Sequence, residues 1–202
     1  MLKVSISKGN NKMGAIPSVS LPPVKTCPQG APCVKKCYAA KLCRIYPTVK
    51  QAYQNNYNIL NTEPAIYWAQ VRAAIATTKY FRFHVAGDIP NAAYFAEMVT
   101  TAKQNPDTKI LAFTKQYNIV NNYIDDFGAL PENLKIIFSR WSPDWDITIH
   151  NPHGLPMSAV IFKGSNNIQY DKICGGNCTE CACRGVGCWE LKNGETIAFY
   201  EH

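Results

Sequence analysis

The chain has 202 residues, a formal net charge of +7 and 47% hydrophobic residues, and its length fits one ordinary domain, or one domain with a small appendage. A chain of this length can bury a continuous core unaided. We therefore expect one α/β domain over residues 1–202, in which the nine cysteines are not needed as disulfide staples. No apolar run is long enough for a signal sequence or a membrane span, which predicts a cytoplasmic protein whose thiols stay reduced.

Positive charge is concentrated at the start of the chain. Residues 1–62 contain nine Lys and Arg and no Asp or Glu, whereas the remaining 140 residues contain twelve basic and fourteen acidic side chains. The basic side chains around the first group of cysteines are Lys25, Lys35, Lys36, Lys41, Arg44 and Lys50. This segment is consistent with three roles: binding nucleic acid or another polyanion, compensating the negative charge of a thiolate-bound metal, and forming a plain solvated surface.

Two helices are predicted after the first cysteine group. One covers 47–60 and the other covers 62–79, with Thr62 as its N-cap and Pro64 in its first turn. The second helix has an apolar stripe at helical spacing, which consists of Trp68, Val71 and Ile75. We expect this stripe to face the core.

The chain then alternates between strands and helices. Buried strands are predicted over 80–87, 109–114 and 134–139, with helices over 91–104 and 116–128 between them. Alternation at this spacing requires right-handed crossovers and a parallel sheet.

Two later strands, over 158–163 and 195–200, bracket a cysteine-rich segment over 164–191. The simplest fold is therefore an α/β sheet or a parallel-sheet partial (β/α) barrel, with cysteine-rich loops at both ends.

Polar residues follow the predicted strands at the edge where parallel α/β proteins bind ligands. They are His84, Gly87, Asp88, Lys115 and Ser139. His84 is either a ligand or acid–base group or a hydrogen-bonded core histidine. Gly87 and Asp88 either form a simple turn or place a carboxylate where it suits the amine of a bound ligand.

The first cysteine group, CPQGAPCVKKCYAAKLC, contains Cys27, Cys33, Cys37 and Cys43. Helical spacing brings Cys33 and Cys37 near each other, and the Pro- and Gly-containing loop before them wraps Cys27 back, which predicts a site with three thiolates. Cys43 would face another side of the helix, so it is a weaker fourth ligand or a small buried hydrophobic residue.

The second group, CGGNCTECACRGVGC, contains five cysteines at short spacings among glycines that leave the backbone free to wrap around a metal centre. Four ligands suffice. Cys181 and Cys183 are separated by a single residue in a segment expected to be extended, and we leave Cys183 out as the spare. The predicted metal ligands are Cys174, Cys178, Cys181 and Cys188. The site has either a structural or a reactive role.

The kind of metal depends on the first group. Three thiolates leave one iron of a [4Fe-4S] cluster open to an outside ligand, which favours a reactive role for the cluster. Zinc with three cysteines and a water or histidine fits the same residues.

The chain also resembles the gene product 88 family of phage and prophage proteins. The stretches that carry the likeness are KMGAIPSVSLPPVKTCPQGAPCVKKCYAAKLCRIYPTV, FRFHVAGDIPNAAYF, ILAFTKQYNIVNNYI, LPENLKIIFSRW and CTECACRGVGCWELK. The resemblance implies a protein of the bacterial host's cytoplasm and assigns the family's cysteine pattern to the seven ligands chosen above, with Cys43 and Cys183 as extras. It implies no activity.

A more distant resemblance is to the radical S-adenosylmethionine enzymes. The segment from Cys33 to Ala39 resembles the first part of their cluster loop, and 85–88 resembles the glycine-rich, acidic end of their second strand. Their third cysteine would fall at Ala40, so Cys27 must replace it.

This second resemblance implies a radical-enzyme-like partial barrel with a [4Fe-4S] cluster at one or both cysteine groups. If the protein is an enzyme, the open iron would hold a small ligand such as S-adenosylmethionine, with Tyr38 beside it and Asp88 on its amine. His84, Lys115 and Ser139 would line the substrate side. The alternative is a zinc-stabilised phage accessory protein that binds nucleic acid through residues 1–62 and catalyses nothing.

Overall fold

A computed structural model describes residues 2–141, 149–164 and 169–201. Its eight strands are β1 (Ile6–Ser7), β2 (Ser18–Val19), β3 (Tyr80–Phe83), β4 (Lys109–Thr114), β5 (Leu134–Ser139), β6 (Met157–Ile161), β7 (Lys172–Ile173) and β8 (Thr196–Tyr200). They form one sheet in the order β1-β2-β3-β4-β5-β6-β8-β7. The β1–β2 pair is antiparallel and every other neighbouring pair is parallel. The structure is therefore α/β with a mostly parallel sheet, whereas the partial barrel and its likeness to radical enzymes stay predictions.

Six α-helices accompany the sheet in the described chain. They are α1 (Tyr38–Ile45), α2 (Pro47–Thr62), α3 (Pro64–Ile75), α4 (Ala92–Gln104), α5 (Tyr117–Phe127) and α6 (Cys178–Arg184). Short 3-10 helices cover Pro32–Lys36 and Gly187–Glu190. No described helix is both long enough and apolar enough to cross a bilayer.

The two faces of the sheet carry different layers. Along β4, Ile110 and Ala112 pack into the larger core, whereas Leu111 between them packs into a second, smaller core on the other face. The larger core takes its partners from α2 to α5, including the predicted stripe of Trp68, Val71 and Ile75. The smaller core is covered by the second cysteine group. That segment therefore forms part of the structural layer on this face of the sheet.

Several predicted elements differ in their details. Thr62 is the last residue of α2, its hydroxyl donates to Asn58, and Glu63 is the N-cap of α3. The prediction of Thr62 as a cap was wrong because α2 runs directly into the turn before Pro64. β3 ends at Phe83 instead of continuing to residue 87, because His84 has a φ of 57° and turns the chain.

Candidate metal centre and ligand cavity

A cavity of about 240 Å³ opens at the carboxyl ends of β3, β4 and β5. Its lining includes all three predicted thiols of the first group and all the predicted strand-end residues, namely Cys27, Cys33, Cys37, Tyr38, His84, Gly87, Asp88, Lys115 and Ser139. The residues of two separate sequence predictions, the thiols and the strand-end residues, therefore line the same cavity. The dimensions suit a small organic molecule or a metal centre with a small ligand.

The fold brings the thiol-bearing loop to this edge through the short strand β2. β2 pairs in parallel with β3, and the pairing continues into the loops beyond, where Leu21 N donates to Ala86 O. The Thr26 hydroxyl donates to Pro22 O and accepts from Asp88 N, so it ties the loop after β2 to the loop after β3.

Gly87 makes this close approach possible. Its φ is +78°, and a Cβ built there would lie 2.6 Å from both Leu21 O and Thr26 Oγ1.

Substituting Gly87 with alanine should lower the free energy of unfolding by about 2 kcal/mol or more, because the new methyl group meets backbone and the φ is strained. Gly175→Ala is the matched control, since no described residue lies within 4 Å of its Cβ position and it has no positive φ. Equal denaturation midpoints for the two variants would contradict this role of Gly87.

The three thiols of the first group share one electrostatic environment. Burial, the Asp88 carboxylate and the thiols of Cys33 and Cys37 together raise the pKa of Cys27 to about 12. Cys37 is the N-cap of α1, and its sulfur accepts a hydrogen bond from Ala40 N at 3.5 Å. Without a metal the Cys27 thiol is therefore protonated, whereas a bound cation would favour its thiolate form.

Cys43 lies away from the cavity. It borders a separate groove of about 850 Å³ on the outer side of the loop, and it is half-buried. The reading of Cys43 as a buried hydrophobic residue was therefore wrong, because α1 exposes most of its surface and buries only Ala39. Cys37 borders both the groove and the cavity, so it forms part of the wall between them.

Asp88 holds the strand ends together. Its carboxylate accepts from the Thr114 hydroxyl at 2.6 Å, from Ile89 N at 2.8 Å and from Lys115 N at 2.9 Å. Burial raises the pKa of Asp88, and these three hydrogen bonds oppose the rise. Beside it, Lys115 Nζ donates to Ser139 Oγ at 2.7 Å.

His84 is the unusual residue of the cavity. It is only 3% exposed, and neither of its ring nitrogens has a hydrogen-bond partner among the described residues. The ring lies against the aromatic rings of Phe83 and Tyr94. The predicted alternative of a hydrogen-bonded core histidine is therefore wrong for the side chain, which leaves a donor and an acceptor available to a ligand.

Burial, with a smaller contribution from the Arg82 charge, lowers the pKa of His84 to about 3. The unfolded chain gains a proton on this residue below its ordinary pKa of about 6.5, and the folded chain does not, so stability is lost as the pH falls. Wild-type protein should lose about 1.4 kcal/mol more unfolding free energy than His84→Asn between pH 7.5 and pH 5.5. Asn is chosen because it tolerates a positive φ. Parallel pH dependence in urea titrations would contradict a neutral His84.

The second cysteine group is helical in part. Cys178 begins α6, and Cys181 lies three residues later on the same helix face. The four predicted ligands, Cys174, Cys178, Cys181 and Cys188, all pack against the smaller core. Cys183 is exposed, as expected for the cysteine left out, although the segment is a helix and not extended. Residues 165–168 of the predicted loop lie outside the described residues.

The thiols of this group are also close to one another. Burial and the neighbouring Cys174 thiol raise the pKa of Cys188 to about 12. Cys174 Sγ accepts a hydrogen bond from Gly176 N at 3.4 Å. A Cβ at Gly187 would lie 3.1 Å from Cys181 Sγ, and Gly187 has a φ of +70°. The absence of a side chain at Gly187 therefore leaves room beside Cys181 Sγ.

The segment is anchored to the rest of the chain by hydrogen bonds. Cys178 N donates to Lys12 O and the Thr179 hydroxyl donates to Met13 O, while within the segment Trp189 Nε1 donates to Cys178 O. In the ranges that the structure describes, no three His, Cys, Asp or Glu side chains are arranged to hold one metal ion.

Arg82 is a residue of the site that the sequence did not predict. It lines the cavity, yet its pattern in the sequence is only that of a strand residue alternating with buried Phe81 and Phe83. The signal that could have identified Arg82 is its charge, because it is the one charged residue of β3 and this strand leads into the site.

Fold and site together define a mostly parallel α/β protein with a thiol-lined cavity at its strand ends and a second cysteine group beneath the sheet. The family model described as Gene product 88 matches residues 3–188, so the chain belongs to the gene product 88 family. It is also similar to the Gene 88 protein of Mycobacterium phage L5, at 27% identity over 169 residues, which cover 72% of this chain and 70% of the phage protein. No solved structure matches the chain.

Proposed function

We propose that the protein is an iron–sulfur protein with a [4Fe-4S] cluster at each cysteine group. The observation that carries the proposal is the meeting of three thiols with the polar strand-end residues in one cavity. Three cysteines are one fewer than a four-iron cluster binds when it is closed. The first site therefore faces the space in which a ligand of the cluster would lie.

The residues present fit such a group in several respects. Both sites offer thiols, and both contain a backbone N–H donated to a cysteine sulfur, from Ala40 and from Gly176. Hydrogen bonds of this kind tune iron–sulfur clusters. In a four-iron cluster each cysteine binds a different iron atom. The cysteine sulfurs around a cluster therefore lie farther apart than the sulfurs that bind a single metal ion. When bound, such a cluster supplies one-electron chemistry and, with three cysteines, one open iron.

The chain's own residues would position a small ligand such as S-adenosylmethionine beside the first site. Tyr38 borders the cavity, and its hydroxyl donates to Val85 O at 2.5 Å, which fixes the ring. Asp88 would accept from an amine of the ligand in addition to its present hydrogen bonds. His84 would donate or accept one hydrogen bond, and the Lys115–Ser139 pair would contact the substrate side.

The second candidate function is binding of nucleic acid by a zinc-stabilised protein. The observation that favours it is the outer groove, which is lined by five basic side chains and no acidic one in the described chain: Lys35, Lys36, Lys41, Arg44 and Lys50. Neutralising the first four should then abolish salt-sensitive binding to DNA or RNA. Neutralising four exposed cations elsewhere, Lys79, Lys103, Lys163 and Lys192, is the matched control.

Iron, zinc and acid-labile sulfide analysis of protein made and kept without oxygen tests the proposal. We expect about eight iron and eight sulfide per chain, with a brown colour, from two four-iron clusters. Stoichiometric zinc without sulfide would contradict the clusters and favour the second candidate.

A further inference from the structure

The cavity at the strand ends has a polar corner formed by Lys115 and Ser139. Lys115 directly follows β4, Ser139 ends β5, and Lys115 Nζ donates to Ser139 Oγ at 2.7 Å. Both side chains are half-buried and line the cavity. The Tyr117 hydroxyl donates to Ser139 O at 2.6 Å, which holds the backbone of the corner. The fold therefore fixes this pair in one wall of the cavity.

The corner offers mainly hydrogen-bond donors to a ligand. A lysine ammonium has three N–H donors, and the bond to Ser139 uses one of them. The Ser139 hydroxyl accepts that bond, and its own proton has no acceptor among the described residues. No described carboxylate forms an ion pair with Lys115. The corner therefore matches an oxyanion, which accepts several hydrogen bonds and supplies a negative charge.

Positive charge is in excess on the cavity wall of the described chain. The charged lining residues are the cations Lys12, Lys36, Arg82 and Lys115 and the acids Asp88 and Glu201. Glu201 is paired with Lys36 at 2.9 Å, and the Asp88 carboxylate already accepts three hydrogen bonds. A cleft lined mostly by one sign of charge concentrates small ions of the opposite sign. The cavity therefore favours an anion over a cation.

Another part of the same space is aromatic. Phe113 and Phe199 both line the cavity, and their rings meet edge-on with centroids 5.7 Å apart. β5 and β6 lie between their strands in the sheet, so the two residues would be roughly 14 Å apart if the sheet were flat. The sheet therefore curls around the cavity and brings the two rings together as an apolar wall.

We propose that the cavity binds a small organic anion, with its carboxylate or phosphate at the Lys115–Ser139 corner and its apolar part against Phe113 and Phe199. Sites for small molecules combine apolar walls with a few placed polar groups in this way. The anion would be the ligand on the substrate side, so calling it a substrate rests on the proposed function. Asp88 stays available to the amine of S-adenosylmethionine, because the anion uses other polar groups.

Isothermal titration calorimetry of protein made and kept without oxygen tests the proposal, with benzoate and phenyl phosphate as the probes. Benzamide has the ring without the charge, and acetate has the charge without the ring. We expect the tighter of the two aromatic anions to bind at least about tenfold more tightly than benzamide, the effect of a charge-assisted hydrogen bond. That probe identifies the acid group. Acetate or benzamide binding as tightly as this probe would overturn the proposal, as would failure of both anions to bind.

Substitutions at the corner locate the bound anion. Lys115→Gln removes the charge and should weaken binding of the tighter anion about tenfold while leaving benzamide unchanged. Lys115→Arg keeps the charge and should retain more affinity than Lys115→Gln. Ser139→Ala should weaken binding about fivefold, the effect of one neutral hydrogen bond.

Lys103→Gln is the matched control for the loss of charge. Lys103 is an exposed cation on α4 that does not line the cavity, so its substitution should leave anion binding unchanged. Equal losses in Lys103→Gln and Lys115→Gln would show a diffuse charge effect and overturn the assigned corner. Full affinity in Lys115→Gln would overturn it as well.

S-adenosylmethionine needs a separate measurement because it has a carboxylate of its own. We expect the aromatic anion to bind with unchanged affinity when S-adenosylmethionine is present in excess. Displacement of the anion would assign the corner to S-adenosylmethionine and overturn the proposal.

The anion site and the clusters can fail separately. Anion binding that depends on Lys115 in a protein without iron and sulfide would support the anion site and contradict the proposed function. An iron–sulfur protein that binds neither aromatic anion would support the clusters and overturn the anion site.

Discussion

Replacing Cys33 with serine should remove about half of the iron and sulfide from protein prepared without oxygen, because a cluster held by three cysteines loses a third of its protein ligands. Cys33 lines the cavity with Cys27 and Cys37, and its own pKa is raised by burial in the metal-free chain. The measurement is iron and sulfide content together with visible absorption.

Cys43→Ser is the matched control for this experiment. Cys43 belongs to the same sequence group but borders the outer groove and not the cavity, so its loss should leave iron and sulfide unchanged. Loss of the same amount of iron from Cys43→Ser and Cys33→Ser would contradict the assignment of three ligands. Retention of full iron content by Cys33→Ser would contradict the first site as a whole.

Replacing Cys181 with serine should reduce the free energy of unfolding by on the order of 4 kcal/mol, the size of loss found when a bound metal is removed from a fold. The second cysteine group covers one face of the sheet, where Trp189 and Leu191 are buried in the smaller core. Loss of the metal centre should therefore loosen this layer as well as the site. Urea denaturation followed by circular dichroism measures the change.

Cys183→Ser gives the comparison from within the same helix. Cys183 is exposed and does not belong to the smaller core, so its substitution should change stability by less than about 0.5 kcal/mol. Equal losses in Cys181→Ser and Cys183→Ser would show that the helix itself, and not a bound metal, is responsible.

The central strands were predictable because their residues are buried on both faces. β4 and β5 have the bounds 109–114 and 134–139 that the apolar runs indicate. The same physics explains the helix stripe at Trp68, Val71 and Ile75, all of which are buried. Local burial leaves a readable periodic pattern in the sequence.

The short strands and the helix of the second cysteine group left no such pattern. β2 has two residues and depends on pairing with β3, which lies about sixty residues later in the chain. α6 has seven residues, and three of them are cysteines. The spacing of these cysteines also suits an extended loop. Tertiary contacts decide such elements, so local propensity alone cannot identify them.

The candidate site was predictable in its membership and not in its assembly. The choice of Cys27, Cys33 and Cys37 came from spacing, and these residues do line one cavity. The position of the Arg82 side chain depends on contacts with Met13 and Phe113, which come from distant parts of the chain. Only the folded sheet brings these residues together.

An anomalous-scattering map at the iron edge, from crystals grown without oxygen, tests the central claim most directly. We predict two iron peaks, one at the cavity beside Cys27, Cys33 and Cys37 and one within the second cysteine group. Cysteine sulfurs joined in pairs, or zinc as the only anomalous scatterer at both groups, would contradict it.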